Sequence, residues 1–266
     1  MKYFIIFFLL LFFNHEKIIS QILIYGDTRT NERVHKNILN TMLTHNPTDI
    51  FNTGDLVFCR NSSKNWNSFI GTTTETRSKA NYYPIIGNHE KNSTKYFDIF
   101  KLPNNEEWYT ITISNIAFIV LNSNKDIKPG SEQYNWLEKQ LSLSQKENNY
   151  TIVLFHHPPF SSGTHRKDPK KAKKCIVPLF EKYGVDAVFS GHVHMYEKLF
   201  VNGIYYFVTG GGGAPLHQVG ERSPYSKKVL RIYHFCQLTL TEGKLQVDVF
   251  DIDNNLLDKV LISPRP

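Results

Sequence analysis

The chain has 266 residues, 41% hydrophobic and 14% aromatic, with no internal repeat or low-complexity linker, so one large core and one domain are expected. Lys and Arg outnumber Asp and Glu by 31 to 24, a formal charge of +7 that draws anions. The excess is not strongly clustered: its densest run is "HRKDPKKAKK", His165 to Lys174, and no recognition motif accompanies it, so specific nucleic-acid binding is not expected.

At the N-terminus, "MKYFIIFFLLLFFNHEKIISQ" sets Lys2 ahead of an apolar stretch, Tyr3 to Phe13, that is too short to span a bilayer as a helix. Residues 1–20 therefore predict export, either as a secretory signal or as an uncleaved anchor, since the isoleucines before Ser20 do not form a small-residue cleavage pattern. A membrane partner is expected only with the anchor. Cys59, Cys175 and Cys236 permit at most one internal disulfide.

From residue 21 onward, short apolar runs each end in a turn signal and a polar cluster. They are "ILIYGD" to Asp27, "TDIFNTGD" to Asp55, "YYPIIGNH" to Asn88 and His89, "TIVLFHH" to His156 and His157, and "DAVFSGHVH" to His194. Such runs read as buried strands. Between them, "TNERVHKNILNTMLTH" places Val34, Ile38, Leu39 and Met42 on one helical face behind a cap at Thr30 or Asn31. "SEQYNWLEKQLSLS" offers Ser131 as a cap, and "CIVPLFEKYG" stops at Gly184. Hairpins are expected about Ser114–Asn115 and Asn202–Gly203, with later strands in "RIYHFCQLTL" and "KLQVDVFDID". The pattern predicts an α/β fold, a four-layer αββα sandwich of two mixed β-sheets flanked by helices, the second sheet richer in antiparallel pairs.

Ligands of open α/β sheets bind beyond the carboxyl ends of strands. Asp27, Asp55, Asn88, His156, His192 and His194 all fall there, and carboxylate, amide and imidazole together suit Zn, Mn or Fe. His192 and His194, two apart in an extended segment, would point the same way. Asp55 has two oxygens and can bridge two metals.

In order, "GD" at Asp27, "GD" at Asp55, "GNHE" from Gly87, "VLFH" ending at His156 and "GHVH" from Gly191 resemble the five motifs of the calcineurin-like metallophosphoesterases, in the spelling of the purple acid phosphatase branch. The resemblance implies a metallophosphoesterase domain over residues 21–266 with two divalent ions, Mn, Zn or Fe. Asp27 and His194 would hold the first, Asn88, His156 and His192 the second, and Asp55 would bridge them. A hydroxide held by the metals would attack phosphorus in line. His89 would protonate the leaving oxygen or steady the transition state, oriented by Glu90 unless that carboxylate is merely solvated.

Two positions depart from the family pattern. The purple enzymes carry an iron-binding tyrosine three residues after the bridging aspartate, where "GDLVF" has Phe58; other branches use a "DxH" histidine, where "DTR" has Arg29. The first metal is left with Asp27, Asp55 and His194. Arg29 would either grip phosphate oxygens or stand exposed at a helix start. Asn88, His165 and His217 complete the expected substrate contacts, His165 on a long loop and His217 after the close-packed "TGGGGAPL" turn. His157, next to a ligand, is expected to face away. The implied activity is an exported metal-dependent phosphomonoester phosphatase acting on small phosphorylated substrates. A phosphodiesterase or nucleotide pyrophosphatase, or a non-catalytic phosphate-binding module, is the alternative.

Overall fold

A computed structural model describes residues 20–164 and 170–264. The leader stretch and His165 lie outside them.

Alternation builds the layers. Strand β1 (Ile22–Tyr25) is buried at all four residues because it serves two cores. Ile22 and Ile24 face the layer between the sheets, while Leu23 and Tyr25 pack outward beneath Val34, Ile38, Leu39 and Met42 of helix α1 (Glu32–Thr44). The α1 cap is Asn31, whose side chain accepts from the Val34 amide. Strands β2 (Asp49–Asn52) and β3 (Asn81–Pro84) run parallel to β1, joined through helix α2 (Ser63–Lys79). The sequence reading missed α2 because threonines and Gly71 dilute its helical pattern; Trp66, Phe69, Thr73 and Thr76 are nonetheless its buried face.

After a short helix α3 (Thr94–Ile99), the second sheet begins with the hairpin β4 (Tyr109–Ile113) and β5 (Ile116–Val120). Helix α4 (Glu132–Glu147), capped by Ser131, leads to β6 (Tyr150–Leu154), and α5 (Lys170–Cys175) and α6 (Val177–Lys182) lead to β7 (Ala187–Ser190). The hairpin β8 (Tyr196–Val201) and β9 (Ile204–Thr209) turns at Asn202–Gly203, and β10 (Ser226–Leu230) adds the outer edge. The chain then returns to the first sheet through β11 (His234–Thr241), β12 (Lys244–Asp251) and β13 (Leu256–Ile262).

The sheet orders are β13-β12-β11-β1-β2-β3 and β10-β8-β9-β7-β6-β5-β4. Both are mixed, and helices cover the outer faces, as expected for the sandwich. The antiparallel pairs, however, are shared equally: the first sheet gains three through β11, β12 and β13, because those last strands pair back along β1 instead of extending the second sheet. Among the described residues no helix is long and apolar enough to cross a membrane. Cys59, Cys175 and Cys236 are all free thiols.

Candidate metal centre

The carboxyl ends of β1, β2, β3, β6, β7 and β9 open on one edge of the sandwich, and six loops meet there. The non-glycines of those loops in the left-handed region include Asp27 at φ 60°, Asp55 at φ 56° and His192 at φ 67°. Such a backbone is costly for residues with a Cβ and persists where the surroundings over-determine it, which is typical of functional sites.

Asp27, Asp55 and His194 form one group of ligating atoms within 4.8 Å of one another, all buried. His194 Nδ1 lies 2.8 Å from the Pro215 carbonyl, and Nε2 faces Asp27 Oδ1 at 3.4 Å. The Asp27 carboxylate also accepts the His192 amide at 2.9 Å. Burial pushes the Asp27 carboxyl up; burial works to lower His194, but its hydrogen bond and charge contact with Asp27 raise it on balance. The two compete for a proton that a cation at this point would displace.

A second group centres on Asn88. Its Oδ1 lies 3.0 Å from His156 Nε2 and 2.9 Å from His192 Nδ1, and His156 Nε2 is 3.3 Å from Asp55 Oδ1. His156 Nδ1 donates to the Thr53 carbonyl at 2.8 Å, so its Nε2 bears a lone pair. Burial lowers His156 to about 4 against the pull of Asp55, keeping it neutral. Burial would raise Asp55, but His156, His89, the His89 N–H and Arg29 hold it below the usual carboxylate range. Ionised carboxylate, amide oxygen and neutral imidazole facing one another are the donor set of a divalent cation. At this second position the side chains fit such an ion.

Asp55 thus touches both groups, with Oδ1 toward His156 and Oδ2 toward His89 Nε2 at 3.7 Å. The His89 amide donates to Asp55 Oδ1 at 3.0 Å, and His89 Nδ1 lies 2.6 Å from the Phe58 carbonyl. Arg29 Nε donates to Asp55 Oδ2 at 3.3 Å, and Nη2 lies 3.4 Å from His194 Nε2. Arg29 is therefore turned inward, not exposed at the start of α1. The His217 ring stacks on His194 at 3.8 Å, and its Nδ1 accepts the His194 amide at 3.2 Å.

Three readings of the sequence need correction. His157 does not face away: its ring lies 4.5 Å from that of His192 and its Nδ1 2.7 Å from Ser123 Oγ. β6 ends at Leu154, so strand alternation no longer governs residue 157. Likewise, His192 and His194 lie in a loop beyond β7, not in an extended segment, and fall in the separate groups that the resemblance implied. Glu90 neither orients His89 nor meets solvent. It is fully buried, and accepts the backbone amides of Asp55 at 2.9 Å, Gly87 at 3.0 Å and Val57 at 3.1 Å, tying two ligand loops together. Asn124, which the sequence reading passed over, donates to the Ile86 and Gly87 carbonyls and braces the same loop from β5. The polar "LNSN" after an apolar run was the signal for it.

Residues 20–196 match the calcineurin-like phosphoesterase family. Purple acid phosphatase 18 of Arabidopsis thaliana is 32% identical over 161 residues, covering 54% of this chain and 37% of that protein. The purple acid phosphatase PPD1 from yellow lupin seeds superposes with a TM-score of 0.83 at 20% identity, over 92% of this chain and 54% of that one. GAP50, the anchor in the inner membrane complex of Plasmodium, superposes with a TM-score of 0.77 at 18% identity, over 93% and 90%. At these identities the structural likeness shows the fold alone, and the chain spans between about a quarter and a half of the length of the curated relatives it matches.

Proposed function

The chain belongs to the calcineurin-like phosphoesterase family, whose metal centre is dinuclear, and from that premise we propose that it is an exported, metal-dependent phosphomonoester phosphatase. One observation carries the reading. His156 Nε2, with its other nitrogen tied to Thr53, points its lone pair at Asn88 Oδ1 and Asp55 Oδ1 with no hydrogen between them. Such a meeting of acceptors is stable around a cation.

Asp55, Asn88, His156 and His192 would hold a divalent ion, Mn, Zn or Fe, and Asp27, Asp55 and His194 form the adjoining position. When bound, such metals supply Lewis acidity toward phosphoryl oxygens and an activated water. The remaining work falls to side chains. His89, fixed at Nδ1 by the Phe58 carbonyl, exchanges its proton at Nε2 beside Asp55 Oδ2 and serves the leaving oxygen. His217 accepts at Nδ1 from the chain, which leaves Nε2–H as its donor. Arg29 carries a planar fork of N–H groups suited to phosphate oxygens. The ligands on the floor are buried, while Asn88, His89, His157, His192 and His217 are half-buried at the mouth, so a small phosphorylated substrate reaches them without unfolding a loop. Export rests on the Tyr3–Phe13 leader and is tested by sequencing the N-terminus of the mature protein.

The purified protein, reconstituted with Mn, Zn or Fe(II), should hydrolyse an aryl phosphomonoester faster than its matching diester. Asp55→Asn should lose metal and turnover together. Bound metal without turnover on either ester would sink the enzyme reading in favour of a binding module, and a preference for the diester would reassign it as a phosphodiesterase.

A further inference from the structure

Arg29 sits where its charge has consequences for the metals. Its side chain is 16% exposed and spans two of the three ligands of the Asp27, Asp55 and His194 group, with Nε on Asp55 Oδ2 at 3.3 Å and Nη2 facing His194 Nε2 at 3.4 Å. The placement starts in the backbone. The amides of Thr28 and Arg29 both donate to the Asp55 carbonyl, at 3.1 and 3.2 Å, and Thr30 turns the chain away at φ 75°. On the outer side the guanidinium carbon lies 5.8 Å from the centre of the Phe58 ring, a cation–π contact from a residue with no side-chain oxygen to offer a metal.

We propose that the Arg29 guanidinium takes the place of the first metal ion, so that this protein works with a single divalent ion, held by Asp55, Asn88, His156 and His192, beside a built-in organic cation. The proposal rests on the phosphoesterase reading and narrows its two-metal expectation to one.

Competition for lone pairs is the reason. His194 Nδ1 is taken by the Pro215 carbonyl, so Nε2 is its only ligating atom, and Nη2 faces it. Asp55 Oδ1 takes the His89 amide and faces His156, so Oδ2 is its oxygen for the first position, and Nε is bonded to it. A metal there would need both atoms at about 2.0–2.2 Å, in the space the guanidinium nitrogens take up. Both cations cannot use the same electron pairs. Repulsion adds to this, because a guanidinium does not give up its proton and like charges a few ångströms apart in a buried site repel strongly. The guanidinium meets the same need as an ion, compensating the buried Asp27 and Asp55 carboxylates, and it adds a fixed donor fork for a phosphoryl oxygen.

The test is metal stoichiometry, independent of turnover. Protein saturated with Mn(II) and freed of excess is analysed by elemental mass spectrometry and electron paramagnetic resonance. Wild type is expected to keep one equivalent with the spectrum of an isolated Mn(II). Arg29→Ala should take up two, with a spin-coupled spectrum, and Arg29→Lys should stay at one. Two equivalents and coupling in wild type overturn the proposal whatever the variants do, as does a folded Arg29→Ala that still binds one. A wild type that binds none, and is unchanged by His156→Ala, takes down the metal centre itself and with it the phosphoesterase reading.

Discussion

Gly87 opens the "GNHE" segment, and the space around it explains why a glycine stands there. A Cβ at residue 87 would lie 2.3 Å from both the amide nitrogen and Oδ1 of Asp55, and 2.9 Å from Glu90 Oε2. The first is backbone, and the two carboxylate oxygens are pinned by backbone amides. To restore ordinary contact, the loops after β2 and β3 must part by about 1 Å, an overpacking that costs about 1–3 kcal/mol by itself. The same displacement pulls on the Glu90 bonds to the Asp55 and Gly87 amides and on the His89 amide's bond to Asp55 Oδ1. The bond to the ionised Asp55 is charge-assisted, and weakening it adds about 1.5–3 kcal/mol. Gly87→Ala should therefore cost about 3–5 kcal/mol in urea denaturation of the apo protein, and it should loosen metal binding by displacing Asp55. Gly71 is the internal control: it lies in α2 with nothing within 4 Å of its would-be Cβ, so Gly71→Ala should stabilise by about 0.5–1 kcal/mol. A Gly87→Ala protein within 1 kcal/mol of wild type, with unchanged metal affinity, would refute the steric account of the motif.

Three further predictions follow from the same geometry. His89→Ala should slow esters with poor leaving groups far more than those with good ones; equal losses on both series would remove it as the proton donor. Glu90→Gln keeps the shape but turns an amino group toward one of three N–H donors, so it should destabilise by about 2 kcal/mol and weaken metal binding, as followed by urea melts and metal titration. His35 is buried between Tyr25 and Phe69, and burial lowers it to about 3, so it is neutral in the fold. Because its folded value lies below the unfolded one, its stability is present above pH ~6.5 and is lost as pH falls toward 3; between pH 7 and 5 this amounts to about 2 kcal/mol. His35→Gln should flatten the stability–pH curve by that amount, and an unchanged slope would place the titrating group elsewhere.

What the sequence determined by itself was local. Short, nearly continuous apolar runs, each closed by a polar cluster, mark strands and their carboxyl ends, and a strand end in an α/β sheet is a site address without further calculation. Hence Asp27, Asp55, Asn88, His156, His192 and His194 could be named together before their separations were known. Helix α2 escaped because its buried face is built from Trp66, Phe69 and two threonines, and becomes apolar only by packing beneath α1 and β3.

Tertiary structure decided everything that depends on direction beyond a strand end. The alternation that would send His157 away stops with β6, and the loop turns it back against His192. Glu90 reads in sequence as a neighbour of His89, but its partners lie across a loop at Asp55 and Val57. Arg29 reads equally well as an exposed helix-start residue. Only the folded chain, by hanging its backbone on the Asp55 carbonyl, brings its charge between Asp55 and His194, 26 and 165 residues away. Local pattern fixes where a chain bends and which residues it buries, because those follow from period and backbone geometry. Which cation sits on which carboxylate is set by contacts between distant loops, and those exist only once both sheets have closed.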